Sequence, residues 1–171
     1  MEQPLRKALS DAYRILVEAG SPRFRPMTRP EFDRIYSAAL HEEFDGEIPA
    51  PELDSLIRAA VDHATPAWDA RSLSYTVDGS QGLLAARNRD GSSYIYAMYI
   101  PPGDRGNGLG TAMLRQAIQD SPEGLSLHVS RRNHAARRLY ERLGFREYES
   151  KDPRAAFMAT RQGIGGNEWW G

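Results

Sequence analysis

The 171-residue sequence contains no cysteine. It therefore has no disulfide framework, no thiolate nucleophile and no cysteine-ligated metal site, and this fits a reducing compartment such as the cytoplasm. Long apolar runs are missing as well, since no stretch approaches the roughly 18 apolar residues of a membrane span and no apolar signal core opens the sequence. A net charge of only −1 gives no indication of general affinity for nucleic acid or membranes. These absences predict a cytoplasmic protein.

The length of the chain is that of a single domain with a self-sufficient core. An apolar stripe of helical period predicts an extra helix over residues 1–22, ahead of a main domain over residues 23–162. Residues 163–171 form a C-terminal tail whose glycines indicate a flexible arm. Its Trp169 and Trp170 indicate a surface on which the tail docks.

Apolar periodicity along the main domain predicts a mixed α/β fold. The predicted helices cover residues 28–40, which begin with a capping box, and residues 53–61, 108–119 and 133–143. The predicted strands cover residues 23–27, 73–77, 82–87, 94–100, 125–129, 146–150 and 155–160. The predicted order is therefore β-α-α-β-β-β-α-β-α-β-β.

A glycine-rich stretch at residues 105–110, Arg-Gly-Asn-Gly-Leu-Gly, lies between a predicted strand and a predicted helix. Helix N–H groups and the helix dipole make such a junction an anion site. It is not a P-loop, because Gly110 is followed by Thr111 and Ala112 rather than by lysine. It is not a dinucleotide fingerprint either, because the third glycine of that motif would stand at position 111.

A second motif lies about twenty residues further on. Residues 127–145 read L-x-V-x-x-x-N-x-x-A-x-x-L-Y-x-x-x-G-F. Together with R-x-x-G-x-G and the preceding Ile100-x-Pro102, this pattern resembles the GNAT superfamily of N-acetyltransferases over roughly residues 94–146. The resemblance implies the GNAT fold, a mixed and mostly antiparallel sheet flanked by helices, here with an extra N-terminal helix. It also implies an enzyme that transfers an acetyl group from acetyl-CoA to a primary amine.

The resemblance implies three groups of cofactor-binding residues. The loop and helix start that hold the pyrophosphate are Arg105, Gly106, Asn107, Gly108, Leu109, Gly110 and Thr111. The strand edge that pairs with the pantetheine arm is Met98, Tyr99 and Ile100, where the N–H of Tyr99 or Ile100 is the expected donor to the thioester carbonyl. The later helix contributes Asn133, Ala136 and Tyr140. Asn133 also has the position of a helix N-cap.

Tyr140 is the expected catalytic acid, because it matches the tyrosine that approaches the cofactor sulfur in many members of the family. A phenol with a pKa near 10 is protonated at neutral pH and can donate to a developing thiolate. Tyr140 also lies on the apolar stripe of its helix, so packing alone is the alternative interpretation.

The general base is not evident from the sequence. Several family members place a glutamate where this chain has Tyr96. Either the amine arrives neutral or water connects it to another residue, for which His128 is a candidate because it can titrate near neutral pH. His41, His63 and His134 show no metal-ligand spacing, and no metal site is expected.

Charge is distributed unevenly. Residues 31–80 contain eleven acidic and three basic residues, a formal charge of −8, whereas residues 101–146 contain eight arginines and four acids. The resemblance places cofactor phosphates against the second segment and the acceptor against the first. A cationic acceptor amine is therefore predicted, with Glu42 and Glu43 as substrate-binding candidates together with Tyr96 and His128. A solvated acidic helix face is the alternative.

Other functions remain open at the level of sequence. The acceptor could be a protein, a peptide or an aminoacyl-tRNA, because arginines cluster over residues 131–142. The domain could instead be a GNAT-fold module that binds acyl-CoA without turnover, an alternative that Tyr96 and the extra helix allow. A homodimer is compatible with either the N-terminal stripe or the tryptophan tail.

Overall fold

The structure is a computed structural model that describes residues 23–170, a six-stranded sheet with helices on both faces. Its helices are α1 (Arg29–Phe44), α2 (Ala50–His63), α3 (Thr65–Asp69), α4 (Leu109–Gln119) and α5 (His134–Arg142). Its strands are β1 (Arg71–Tyr75), β2 (Gly82–Arg87), β3 (Ser93–Tyr99), β4 (Leu125–Ser130), β5 (Arg146–Tyr148) and β6 (Ala155–Ala159). The helix predicted over residues 1–22 lies outside the described residues.

The sheet has the strand order β1-β2-β3-β4-β6-β5, and every neighbouring pair is antiparallel except β3 and β4. Those two parallel strands pair only at their first residues, Ser93 with Leu125 and Tyr94 with Ser126. The rest of β3 has no ladder partner on β4, which leaves a split between the C-terminal parts of the two strands. The predicted mixed and mostly antiparallel sheet is confirmed.

A β-bulge at Tyr96 changes the face on which the side chains of β3 lie. β2 carries no residue opposite Tyr96, so β3 contains one residue more than its partner. Ile95 and Met98 consequently pack on the face covered by α4, whereas Tyr96 and Ala97 both pack on the opposite face. The bulge therefore lies beside the split. After it, Tyr99 joins Tyr96 on the face covered by α1.

Each face of the sheet has its own apolar core. Residues from α4 and α5 pack on one face against the buried side chains Leu83, Ala85, Ile95, Met113, Leu114, Leu125, Leu127, Phe145 and Met158. On the other face, α1 buries Phe32 and Ile35 against Met27, Ala64 and Leu84. A smaller cluster on that face joins Phe157, Ala159 and Ile164, which brings the C-terminal segment onto the sheet.

The start of α1 has the predicted capping box. The Thr28 hydroxyl accepts from the Glu31 N–H at 3.3 Å, and the Thr28 N–H donates to the Glu31 carboxylate at 2.9 Å. Arg25 also donates to both carboxylate oxygens of Glu31, at 2.8 and 2.7 Å, and these hydrogen bonds lower the pKa of Glu31 to about 2. The box therefore defines the residue at which α1 begins.

We expect Thr28→Ala to lower the free energy of unfolding by about 1 kcal/mol, because the N–H of Glu31 loses its acceptor. Urea denaturation followed by circular dichroism measures the change. Ser55→Ala, on the exposed surface of α2, is the control and is expected to change stability by less than about 0.5 kcal/mol. Equal effects of the two substitutions would show that the cap does not stabilise the domain.

The strand predicted over residues 23–27 is wrong. The structure has only an isolated bridge there, between Arg25 and Thr76. Pro26 has no N–H to donate to a ladder, and the N–H of Met27 donates to a side-chain hydroxyl on β1 at 2.9 Å instead of to a backbone carbonyl. Backbone pairing is therefore limited to one bridge, with the residue that follows β1.

Pro66 separates two helices rather than ending helical structure. The helix α2 ends at His63, before Pro66, as predicted. The chain then forms the short helix α3, in whose first turn Pro66 lies and which the sequence did not indicate. A proline is accepted in a first turn because the N–H that it lacks has no partner within the helix.

Candidate active site

The edge of β3 that lines the split carries the three strand residues predicted for the cofactor. Met98 and Tyr99 pair with Leu83 and Gly82 of β2, and Ile100 follows directly after the strand. On the other side β4 forms no ladder with this part of β3. A strand edge of this kind can pair with an extended ligand through main-chain hydrogen bonds.

The glycine loop, residues 105–108, connects this edge to α4. Gly106 and Gly108 both have a φ of +83°, a conformation that favours glycine because it has no Cβ. Gly108 is the N-cap of α4, and no side chain caps this helix at that position. The loop thus exposes main chain at the positive end of the helix dipole.

The first turn of α4 supplies hydrogen-bond donors beside the loop. The N–H of Leu109 donates to the Asn107 side-chain oxygen at 3.3 Å. The N–H groups of Gly110 and Thr111 belong to the same first turn, where no intrahelical acceptor exists. A Cβ at Gly110 would lie 3.5 Å from the Met98 terminal methyl, an ordinary contact. The fold therefore accepts a side chain at this position.

Arg105 joins the loop to α1. Its Nε donates to the carbonyl of Ile100 at 2.8 Å, and a terminal guanidinium nitrogen donates to the Glu42 carboxylate at 2.8 Å. Partial burial opposes ionisation of Glu42, but hydrogen bonds from Arg105 and Tyr99 lower its pKa. A residue predicted for the cofactor and one predicted for the acceptor are thus in direct contact.

The helix α5 begins at the edge of the split and carries the three remaining cofactor candidates. The Asn133 side chain accepts from the Ala136 N–H at 3.1 Å, so the predicted N-cap is present. Ala136 and Tyr140 are one helical turn apart on the face that packs on the sheet. The ring of Tyr140 lies 5.7 Å from that of Phe145. Burial raises the pKa of Tyr140 to about 12, so its phenol stays protonated at neutral pH.

A row of rings crosses the opposite face of the sheet at the split. We call it the aromatic row, and its members are Tyr36, Tyr96, Tyr94, His128 and Trp170. Ring centroids are 5.7 Å apart for Tyr36 and Tyr96, 5.7 Å for Tyr94 and His128, and 4.4 Å for His128 and Trp170. The row therefore extends from α1 across β3 and β4 to the C-terminal segment.

His128 lies between Tyr94 and Trp170 in this row. Its Nδ1 and the Tyr94 hydroxyl are 2.9 Å apart, and the Trp170 ring stacks on the imidazole with an interplanar angle of 16°. Burial lowers the pKa of His128 to about 4, so the ring is neutral at pH 7. A base this weak does not hold a proton near neutral pH, which differs from the expected titration near pH 7.

A carboxylate lies near each end of the row. Glu43 interacts with Tyr36, and burial together with the neighbouring Glu47 raises the pKa of Glu43. At the other end Asp152 interacts with His128 and with Trp170. The row is thus an aromatic surface bounded by acidic groups, a combination suited to organic cations.

Among residues 23–170 no three histidine or acidic side chains are grouped as they would be to hold a metal ion. Over the same range, no helix combines the length and the apolar composition that crossing a membrane requires.

The glycine loop and the motif on α5 both fall within residues 77–145, which match the sequence model of the acetyltransferase (GNAT) family. Over these residues the chain matches that family. It is an acetyl-CoA-dependent N-acetyltransferase with the GNAT fold, which confirms the resemblance, the enzyme class and the cofactor predicted from the two motifs.

Solved structures of other GNAT-fold proteins resemble the domain. The PaiA N-acetyltransferase from Thermoplasma acidophilum, in complex with coenzyme A, is 13% identical with a TM-score of 0.64 over 81% of this chain and 98% of that one. The ribosomal-protein-S18-alanine N-acetyltransferase from Escherichia coli is 21% identical, with a TM-score of 0.56 over 84% and 96%. At these identities the likeness shows the fold. No curated protein sequence is significantly similar to this chain.

The GNAT site has the features that an acyl-CoA thioester requires. The edge of β3 provides main-chain groups for the amide-rich pantetheine arm, and the start of α4 provides N–H donors for the pyrophosphate. The absence of a side chain at Gly108 and Gly110 leaves the helix start accessible at both positions. The residues present therefore fit the family's cofactor.

The sequence analysis named more residues for the cofactor side of the site than for the acceptor side. The loop follows the strand edge in the chain, and the inward side chains of α5 pack on the same core as Met98 and Ile100. Tyr36, Tyr94 and Trp170 were not among the predicted site residues, although they join Tyr96 and His128 in the aromatic row. The tryptophan pair in the tail was a signal for Trp170 alone, and Tyr36 and Tyr94 appeared only as members of a predicted helix and strand.

Proposed function

We propose that the enzyme acetylates the primary amine of a positively charged small molecule that binds at the aromatic row. One observation carries this proposal: α1 borders the row, and its last turn carries Glu43, which interacts with Tyr36, and Glu42, which binds Arg105. This helix belongs to the segment with a formal charge of −8. Carboxylates and aromatic faces both attract a cation, and the surrounding acidic segment raises its local concentration.

In this proposal the edge of β3 would hold the pantetheine arm of acetyl-CoA, and the start of α4 would hold its pyrophosphate. Met98 and Ile100 contribute main-chain groups to the pantetheine arm, and the N–H of Tyr99 or Ile100 polarises the thioester carbonyl. The first-turn N–H groups of α4 and the Arg105 guanidinium bind the pyrophosphate. The bound thioester supplies the acetyl group and the thiolate leaving group.

Tyr140 then acts as the proton donor. Its side chain packs against the core on the inner face of α5, and its raised pKa keeps the phenol protonated over the whole physiological range. Donation of a proton to the departing sulfur lowers the barrier, because the leaving group then departs as a neutral thiol rather than as a charged thiolate. Asn133 and Ala136 position the start of this helix against the cofactor.

The Tyr36 phenol and the His128 imidazole are both poor bases, so the acceptor amine is proposed to lose its proton to solvent before it attacks. Burial raises the pKa of the Tyr36 phenol, and the imidazole of His128 is too weak a base to hold the proton. Apolar rings around the reacting nitrogen favour its neutral form. A second charged group on the acceptor can meanwhile remain near the acidic side chains.

Two alternatives have less support. An aminoacyl-tRNA acceptor needs a basic surface, but Arg131 and Arg137 of the arginine cluster both bind Glu147, at 2.6 and 2.7 Å. A module without turnover has no need for a protonated phenol at Tyr140. Peptide acceptors share the amine and the positive charge with the proposed class, so they belong in the same assay.

The test is acetyl-CoA turnover against polyamines, amino acid derivatives, neutral amines and basic peptides, with products identified by mass spectrometry. We expect acetylated cationic amines, with an acceptor KM that rises with salt because the attraction is screened. A preference for anionic or neutral acceptors would contradict the proposal.

For the preferred cationic acceptor we expect Glu43→Gln to raise KM about fivefold, with little change in the KM for acetyl-CoA. The reason is the loss of a negative charge near the row. Glu52→Gln is the matched control, because Glu52 lies on the exposed start of α2 within the same acidic segment. Equal effects of the two substitutions would show that only the overall charge matters.

A further inference from the structure

We propose that the C-terminal segment, residues 163–170, forms a wall of the acceptor site, and that Trp170 is a specificity-determining residue that contacts the acceptor. The inference rests on the proposed function in that it assigns the aromatic row to the acceptor. It adds that a segment outside the matched family region, residues 77–145, selects acceptors with an apolar or cationic portion beside the reacting amine.

The segment is fixed to the sheet at several points. The N–H of Gly165 donates to the Asp90 carboxylate at 2.8 Å, and its carbonyl accepts from the Ser126 hydroxyl at 2.6 Å. The Glu168 carboxylate accepts from the Arg89 N–H at 2.9 Å. These contacts attach the segment to β4 and to the turn between β2 and β3, so the path of the chain is defined up to its last residues.

Gly166 places the segment directly over the base of the split. A Cβ at this position would lie 2.8 Å from a ring carbon of Tyr94, 2.9 Å from the Ser126 hydroxyl and 3.0 Å from the Phe157 ring. Tyr94 and Ser126 form the last pair before β3 and β4 separate. The backbone at Gly166 therefore covers the point where the split begins.

Trp170 continues from that point along β4. One face of its ring stacks on His128 at 4.4 Å, whereas 45% of the residue is exposed. It is one of only two large apolar residues that are this exposed among residues 23–170, the other being Leu56 on α2. A ring held on one side and open on the other, beside Asp152, suits contact with a cationic or apolar ligand.

A kinetic comparison of variants tests the role of this ring. We expect Trp170→Ala to raise the acceptor KM about tenfold and Trp170→Phe to restore most of the loss. The KM for acetyl-CoA and the melting temperature are expected to stay near wild-type values. Leu56→Ala removes the other exposed apolar side chain and serves as the matched control. An unchanged acceptor KM in Trp170→Ala would overturn the proposal. So would a lowered melting temperature that accompanies the loss of activity.

A second pair of variants tests the position of the segment. We expect Gly166→Ala to raise the acceptor KM as Trp170→Ala does, because the added methyl displaces the segment from Tyr94 and Ser126. Gly163→Ala is the control, since Gly163 also has a positive φ, +84°, but has no atom within 4 Å of a Cβ. If Gly163→Ala and Gly166→Ala raised KM equally, contact with the sheet would not be the cause.

Binding can also be measured without turnover, which separates this inference from the proposed function. The indole N–H signal of Trp170, assigned from the Trp170→Phe spectrum, is followed by 1H–15N NMR during titration with spermidine and with phenethylamine. We expect a saturable shift of this signal with at least one of them, while the Trp68 signal stays constant. No shift with either amine would contradict the proposal that this segment forms a wall of the acceptor site. A shift without acetylated product would support amine binding at Trp170 but contradict the proposed acetyl transfer.

Discussion

A Tyr140→Phe variant is expected to turn over acetyl-CoA at least about 100-fold more slowly than the wild-type enzyme, the usual effect of losing a general acid. The substitution removes only the hydroxyl, whose raised pKa of about 12 keeps it protonated at neutral pH. The leaving thiolate would then have to take its proton from water. Steady-state kinetics at saturating acetyl-CoA measure the change.

The ring of the phenylalanine keeps the packing of α5 against Phe145, so the melting temperature and the KM for acetyl-CoA are expected to change little. Tyr148→Phe, on β5, is the control for loss of a tyrosine hydroxyl away from the split. If kcat in Tyr140→Phe matched that of the control, Tyr140 would be a packing residue. Family membership would be unaffected by that result.

The second large effect is expected from Gly110→Glu, which should weaken acetyl-CoA binding about 100-fold, since a like charge opposite the pyrophosphate costs several kcal/mol. Gly110 lies in the first turn of α4, beside the donors proposed for that group. Isothermal titration calorimetry with coenzyme A measures the dissociation constant directly.

Gly110→Gln is the matched control, because it has nearly the same size without the charge. An acidic side chain in a first turn stabilises a helix, so the glutamate variant should melt at or above the temperature of the glutamine variant. Lower affinity together with unreduced stability would locate the phosphate at this helix start. Equal affinity of the two variants would place the pyrophosphate elsewhere.

The features that the sequence predicted correctly are those with local causes. The capping box at Thr28, the glycine loop and the N-cap at Asn133 each depend on residues a few positions apart. The strand over residues 23–27 was wrong, although its apolar residues suggested it, because Pro26 cannot donate to a ladder. In that segment one missing N–H outweighs the apolar pattern.

The acceptor side depends on contacts between residues far apart in the sequence. Arg105 and Glu42 are 63 positions apart, and nothing in either local pattern indicated that they pair. The bulge at Tyr96 is defined by the register with β2, which alternation within β3 alone cannot show. Trp170 reaches His128 only because the segment before it is anchored on a distant turn. Residue types could be assigned to this side of the site, but their arrangement could not.

The limited pairing between β3 and β4 has a consequence for how the protein unfolds. Only two β-ladder pairs join a half-sheet of β1, β2 and β3 to a half-sheet of β4, β6 and β5, so side-chain packing supplies most of the contact between the halves. Without ligand, amide hydrogen exchange should therefore divide into two groups with different opening free energies. A ligand that contacts both halves would link these openings and stabilise them together, by an amount that grows with the logarithm of its concentration. The cofactor would then set the folding cooperativity of the domain as well as its chemistry.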